Sequence, residues 1–75
     1  MKTERFIYKY KTPDDVQGPI SDWAVSLVAL NAFVTRLKLS GRTREADKSL
    51  WSGKTLKQEK TGKNSYTATI IFTKK

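Results

Sequence analysis

Residues 21–39, SDWAVSLVALNAFVTRLKL, carry the most regular pattern in the chain: Trp23, Leu27, Leu30, Val34 and Leu37 recur at alternating spacings of four and three. On an α-helix this spacing draws a single apolar stripe. The flanks agree with a helix. Ser21 is placed as N-cap, Asp22 lies favourably against the positive end of the helix dipole, and Ile20 with Val25 has the spacing of a hydrophobic staple. Arg36 and Lys38 sit in the last turn, and Gly41 supplies a left-handed stop. The sequence therefore predicts a helix over 21–39 whose stripe, with Leu30 at its middle, faces the core. Val25, Val28 and Phe33 fall off that stripe, so the apolar surface extends further round the helix than one sheet face covers. A homodimer through this helix is the expected use of the surplus.

On the N-terminal side, residues 5–11, RFIYKYK, alternate with period two and are rich in aromatic and β-branched types, which predicts a strand. Phe6, Tyr8 and Tyr10 share one face; Arg5, Ile7, Lys9 and Lys11 share the other. Residues 12–20 read as a connection: Thr12-Pro13-Asp14-Asp15 has the order of a helix start, but Gly18-Pro19 follows so soon that only a turn can form. On the C-terminal side, residues 40–49 form a polar, basic loop with at most one helical turn, expected to be the most mobile part of the chain. Two strand-like runs follow, 48–60 and 65–73, around Thr61-Gly62-Lys63-Asn64, and predict an antiparallel hairpin over 50–73. In its second run Tyr66, Ala68, Ile70 and Phe72 form a core face against Thr67, Thr69, Ile71 and Thr73. Ser52-Gly53 interrupts the first run as an expected bulge. The sum is one α+β domain over residues 1–75 in the order β-α-β-β, with the helix packed on a three-stranded antiparallel or mixed sheet.

Composition narrows the function. The 75 residues contain no His and no Cys, which removes disulfides, thiolate nucleophiles, imidazole bases and the usual zinc sites. Neither a catalytic constellation nor a cofactor site is predicted, and the chain reads as non-enzymatic. The net charge is +8, with a pI near 10.0, and favours an anionic partner. Residues 1–39 carry six basic and four acidic groups (+2), and residues 40–75 carry nine and three (+6). The longest apolar stretch, Trp23 to Val34, is broken by Ser26 and Asn31 and is shorter than the roughly 20 residues of a membrane span. The N-terminus lacks the apolar run and cleavage site of a signal peptide, so the mature chain is expected to start at or near Met1 and the protein to be cytoplasmic.

Three motifs read as structural. Gly53-Lys54-Thr55 matches the end of a phosphate-binding loop, but the glycine needed five positions earlier is Lys48. The acid pairs Asp14 with Asp15 and Glu45 with Asp47 have nothing converging on them and read as turn and ion-pair residues. The Phe6, Tyr8, Tyr10 stripe reads as core because the helix needs a large apolar sheet face, which leaves Arg5, Lys9, Lys11 and the threonines on the opposite face, a surface suited to phosphates. The densest basic set is Arg42, Arg44, Lys48, Lys54, Lys57, Lys60 and Lys63, with Trp51 among them. These eight residues are the expected nucleic-acid-binding site, DNA or RNA, of a small regulatory protein. The alternative is a protein-interaction module, an inhibitor or adaptor, that docks on an acidic partner surface.

Overall fold

A computed structural model describes residues 2–75; Met1, the expected start of the mature chain, lies outside the described residues. The chain runs β1 (Thr3–Lys11), α1 (Asp22–Leu39), two 3-10 turns at Thr43–Glu45 and Lys48–Leu50, β2 (Trp51–Gly62) and β3 (Ser65–Lys74). The helix packs on a three-stranded sheet of order β1-β3-β2, antiparallel throughout. This is the α+β architecture the hydrophobic periods predict. The central strand is β3, the most apolar of the three, and both β1 and β2 are edges.

Register sorts the side chains into two faces. Towards the helix stand the rows Glu4–Phe72–Gly53, Phe6–Ile70–Thr55, Tyr8–Ala68–Gln58 and Tyr10–Tyr66–Lys60. Phe6, Ala68, Ile70 and Phe72 join Val25, Ala29, Phe33, Leu37 and Trp51 in the core. Phe33 is its centre: it stacks on Phe72 at 4.4 Å between ring centroids and meets Trp51 and Phe6 edge-on. Tyr8 and Tyr10 are half-buried at its margin, as members of the expected stripe.

The helix is rotated from the orientation its stripe predicts. The buried residues are Val25, Ser26, Ala29, Phe33, Val34 and Leu37, whereas Trp23 is 71% and Leu27 55% exposed. Leu30 is only half-buried. Close approach decided this. The helix passes over β2 where Gly53 leaves room, and the small side chain of Ser26 sits there. Bulk enters the core through Val25, Phe33 and Leu37, so the expected stripe is inward at Val34 and Leu37, marginal at Leu30, and turned outward at Trp23 and Leu27. Val25 and Phe33, two of the three surplus residues, are therefore core.

The ends of the helix also differ in how they are held. Ser21 occupies the N-cap position but makes no side-chain cap bond. Gly41 adopts φ +79°, and its N–H donates to the Lys38 carbonyl while the Arg42 N–H donates to the Leu37 carbonyl. That pair of bonds is the Schellman arrangement expected of a glycine stop. The bulge expected at Ser52-Gly53 is not there; register shifts fall instead between Thr55 and Lys57 and between Lys60 and Gly62. The hairpin closes over Lys63-Asn64, with Asn64 at φ 59°, a left-handed position that asparagine tolerates.

Candidate anion-binding surface

The face of the sheet away from the helix carries the rows Arg5–Ile71–Lys54, Ile7–Thr69–Lys57, Lys9–Thr67–Glu59 and Lys11–Ser65–Gly62. Period-two alternation puts Arg5, Lys9 and Lys11 on one flank, side chains two residues apart being spaced about 7 Å, and the register shift between Thr55 and Lys57 brings Lys54 and Lys57 onto the same face of the other flank. Between them runs a column of Thr67, Thr69 and Thr73 hydroxyls and Ile71. All five cations are exposed. The only carboxylate in these rows is Glu59, which Lys57 meets at 2.8 Å and holds below the ordinary glutamate range. Arg5, Ile7, Leu56, Lys57 and Thr69 line a shallow cleft at the centre. The surface offers fixed positive charge and hydroxyl donors with no aromatic ring, which fits backbone phosphates rather than bases.

The residues read from sequence as the binding site do not come together as one surface. Lys54 and Lys57 lie on this face; Lys60 shares a row with Tyr66 on the helix side near the hairpin tip, and Lys63 is in the turn itself. Arg44 and Lys48 are exposed on the 3-10 turns near the opposite end of β2. Trp51 is 2% exposed and donates its Nε1–H to the Glu45 carbonyl at 2.7 Å, so it cannot stack on a base. Its position at the start of β2, on the helix side of the sheet, drives it into the core.

Arg42 also leaves the site. Its guanidinium grips Glu4 with two bonds of 2.9 and 2.5 Å and donates Nε–H to Glu45 at 2.7 Å. Lys2 reaches Glu45 at 2.6 Å, and Lys74 lies 3.5 Å from it. Asp47 accepts from the Ser49 N–H. The segment expected to be most mobile is thus tied to β1, to β3 and, through Trp51, to the core. Hydrogen bonding from Arg42 and Lys2 lowers the Glu45 carboxyl to about 2, and hydrogen bonding from Arg42 lowers Glu4.

A glutamate whose folded pKa is depressed stabilises the fold above its unfolded value and ceases to do so as pH falls through the folded one. Between about 4.5 and about 2, the denaturation midpoint is therefore expected to fall, and Arg42→Gln to flatten that dependence while lowering stability near neutral pH. Urea melts of both proteins across this range check it; parallel pH profiles would remove the network from the account of stability.

What the sequence reading left out of its site is β1. Alternation in the sequence already sets Arg5, Lys9, Lys11 and the threonines on a face suited to phosphates, but apart from the eight site residues. The register shift after Thr55, which brings Lys57 to the face of Lys54 and Arg5, has no sequence signal. Among the described residues no group of three or more acidic or other ligand-type side chains converges as a metal site, and no helix is long and apolar enough to cross a membrane. Comparison with protein families, with curated proteins and with solved structures returned no match.

Proposed function

We propose that this is a non-enzymatic, cytoplasmic nucleic-acid-binding protein of regulatory type that holds backbone phosphates on the open face of its sheet. The observation that carries the reading is the placing of Arg5, Lys9, Lys11, Lys54 and Lys57 on one face with Glu59 as its single carboxylate. Lys60 and Lys63 extend the positive surface to the hairpin tip, and Arg44 and Lys48 extend it at the other end. Each phosphate contact on duplex DNA steepens the log–log salt dependence of binding by about 0.9. Lys9→Gln with Lys54→Gln, one cation from each flank, is expected to flatten that slope by up to about two units and to weaken binding to all sequences alike. Titrations of random duplex at several salt concentrations test this. An unchanged slope and affinity sink the open face as the site, and no binding of duplex, single strand or RNA at low salt sinks the function.

A second copy fits the outward stripe of α1. Trp23, Leu27 and Leu30 keep the four-and-three spacing of a helix–helix seam, and Trp23 and Leu27 are the largest exposed apolar side chains on it. A dimer is expected at micromolar concentration, and Leu27→Glu is expected to abolish it. Sedimentation across ~1–100 μM, a range bracketing moderate affinities, decides: a monomer throughout refutes it.

A further inference from the structure

The free edge of β1 points to a second binding mode, which shares Arg5, Lys9 and Lys11 with the phosphate face but adds the backbone edge and the helix side of the strand. We propose that β1 accepts an extended segment of another protein as a fourth strand, and that this segment alternates apolar and acidic residues.

The backbone argument comes first. The Lys2 carbonyl accepts from the Lys74 N–H, and the Thr12 N–H donates to the Asn64 carbonyl. Between them β1 pairs with β3 in unbroken register from Thr3 to Lys11. In an antiparallel ladder alternate residues turn both backbone groups to the same neighbour, so the even-numbered residues face β3. Thr3, Arg5, Ile7, Lys9 and Lys11 consequently direct their N–H and C=O groups outward along a regular edge. The other edge, β2, is broken by two register shifts, the kind of irregularity that spoils an edge for pairing.

Side chains specify the occupant. The helix starts over β2, where the Asp22 carbonyl accepts from Thr55, and this offset leaves a groove between α1 and the margin of β1. Tyr8, Val28, Ala32 and Leu39 give it an apolar floor, Asn31, Thr35 and Arg36 edge it, and no residue of β2 or β3 lines it. One set of alternate side chains on an added strand enters this apolar groove. The other set lies on the open face beside Arg5, Lys9 and Lys11, among which no carboxylate of β1 intervenes. Carboxylates on the incoming strand satisfy them. A second copy of β1 does not, because antiparallel pairing about Ile7 sets Arg5 against Lys9, and like charges directly opposite are destabilising. Strand addition of this kind draws affinity from the main chain and specificity from alternate side chains.

The test uses three peptides as long as β1, 9 residues: alternating Val and Glu, alternating Val and Lys, and oligo-Glu. The Val/Glu peptide alone is expected to bind saturably and to slow amide exchange at Arg5, Ile7 and Lys9. Ile7→Pro removes an outward donor without touching the β3 ladder, and Val28→Glu charges the groove from an exposed helix position; each is expected to weaken the peptide at least about tenfold. If the proline variant does not fold, Val28→Glu carries the test. Oligo-Glu binding as tightly as Val/Glu, no saturable binding, or an unweakened Val28→Glu variant overturns the proposal. Oligo-dT serves as a parallel probe: both variants are expected to retain it, so loss of the peptide alone separates this edge from the phosphate reading.

Discussion

Replacing Trp51 by alanine is expected to cost about 3–5 kcal/mol, the range for emptying a large aromatic site. A 75-residue domain has only a few kcal/mol to lose, so the variant should be largely unfolded at 25 °C without any ligand. Three attachments fail together. The ring leaves a void beside Phe33, whose centroid lies 4.9 Å away; the Glu45 carbonyl loses its donor; and the segment carrying Arg42 and Glu45 loses its anchor to the core. Trp51→Phe separates the apolar part from the polar one. It keeps most of the buried surface and leaves the carbonyl unpaired, for about 1–3 kcal/mol. Denaturant melts of both variants measure the two costs. Trp51→Phe is also expected to bind oligonucleotides like the parent, because a ring 2% exposed contributes no stacking. A selective loss for single strands would contradict the core placement.

Trp51 shows why the spatial grouping of side chains was less legible than the order of the elements. Element type and order follow from local period: two in RFIYKYK and in residues 65–73, 3.6 in residues 21–39, and those periods are properties of neighbouring residues. Which face of a helix is inward depends on what lies opposite. Ser26 looks like a gap in the stripe until Gly53 of β2 is set beneath it. In the same way Arg42 looks like a free cation until the Schellman turn aims it at Glu4, 38 positions away in sequence. Charge counted along the chain therefore groups residues 40–63, which the fold spreads over the open face, the hairpin tip and the 3-10 turns. The open face is an assembly of three strands, and only register shows that Arg5 and Lys54 flank the same isoleucine, Ile71.

Gly53 concentrates that dependence in one position, and Gly53→Ala is expected to destabilise by about 1–3 kcal/mol through overpacking. At an unconstrained strand position the same change gains about 0.4–1 kcal/mol by restricting the unfolded chain, so the two effects have opposite sign and geometry decides. An added Cβ lies 2.7 Å from Cε1 and 3.0 Å from Cδ1 of Phe72, and 3.6 Å from the Ser26 Cβ. A flexible surface side chain could yield to such a contact. Phe72 has nowhere to go: it is fully buried and stacked on Phe33, with the helix above. Gly53→Val adds two further carbons to the same space and is expected to cost more than the alanine. Shrinking the obstacle provides the control, since Phe72→Leu empties part of the core on its own yet gives the new methyl room. The double variant Gly53→Ala with Phe72→Leu should then be more stable than the sum of the single losses, a coupling of about 0.5–3 kcal/mol for residues in direct contact. Melts of the three proteins measure it. Simple additivity, or a Gly53→Ala variant as stable as the parent, would mean that the Phe72 ring does not need the space that glycine leaves at position 53.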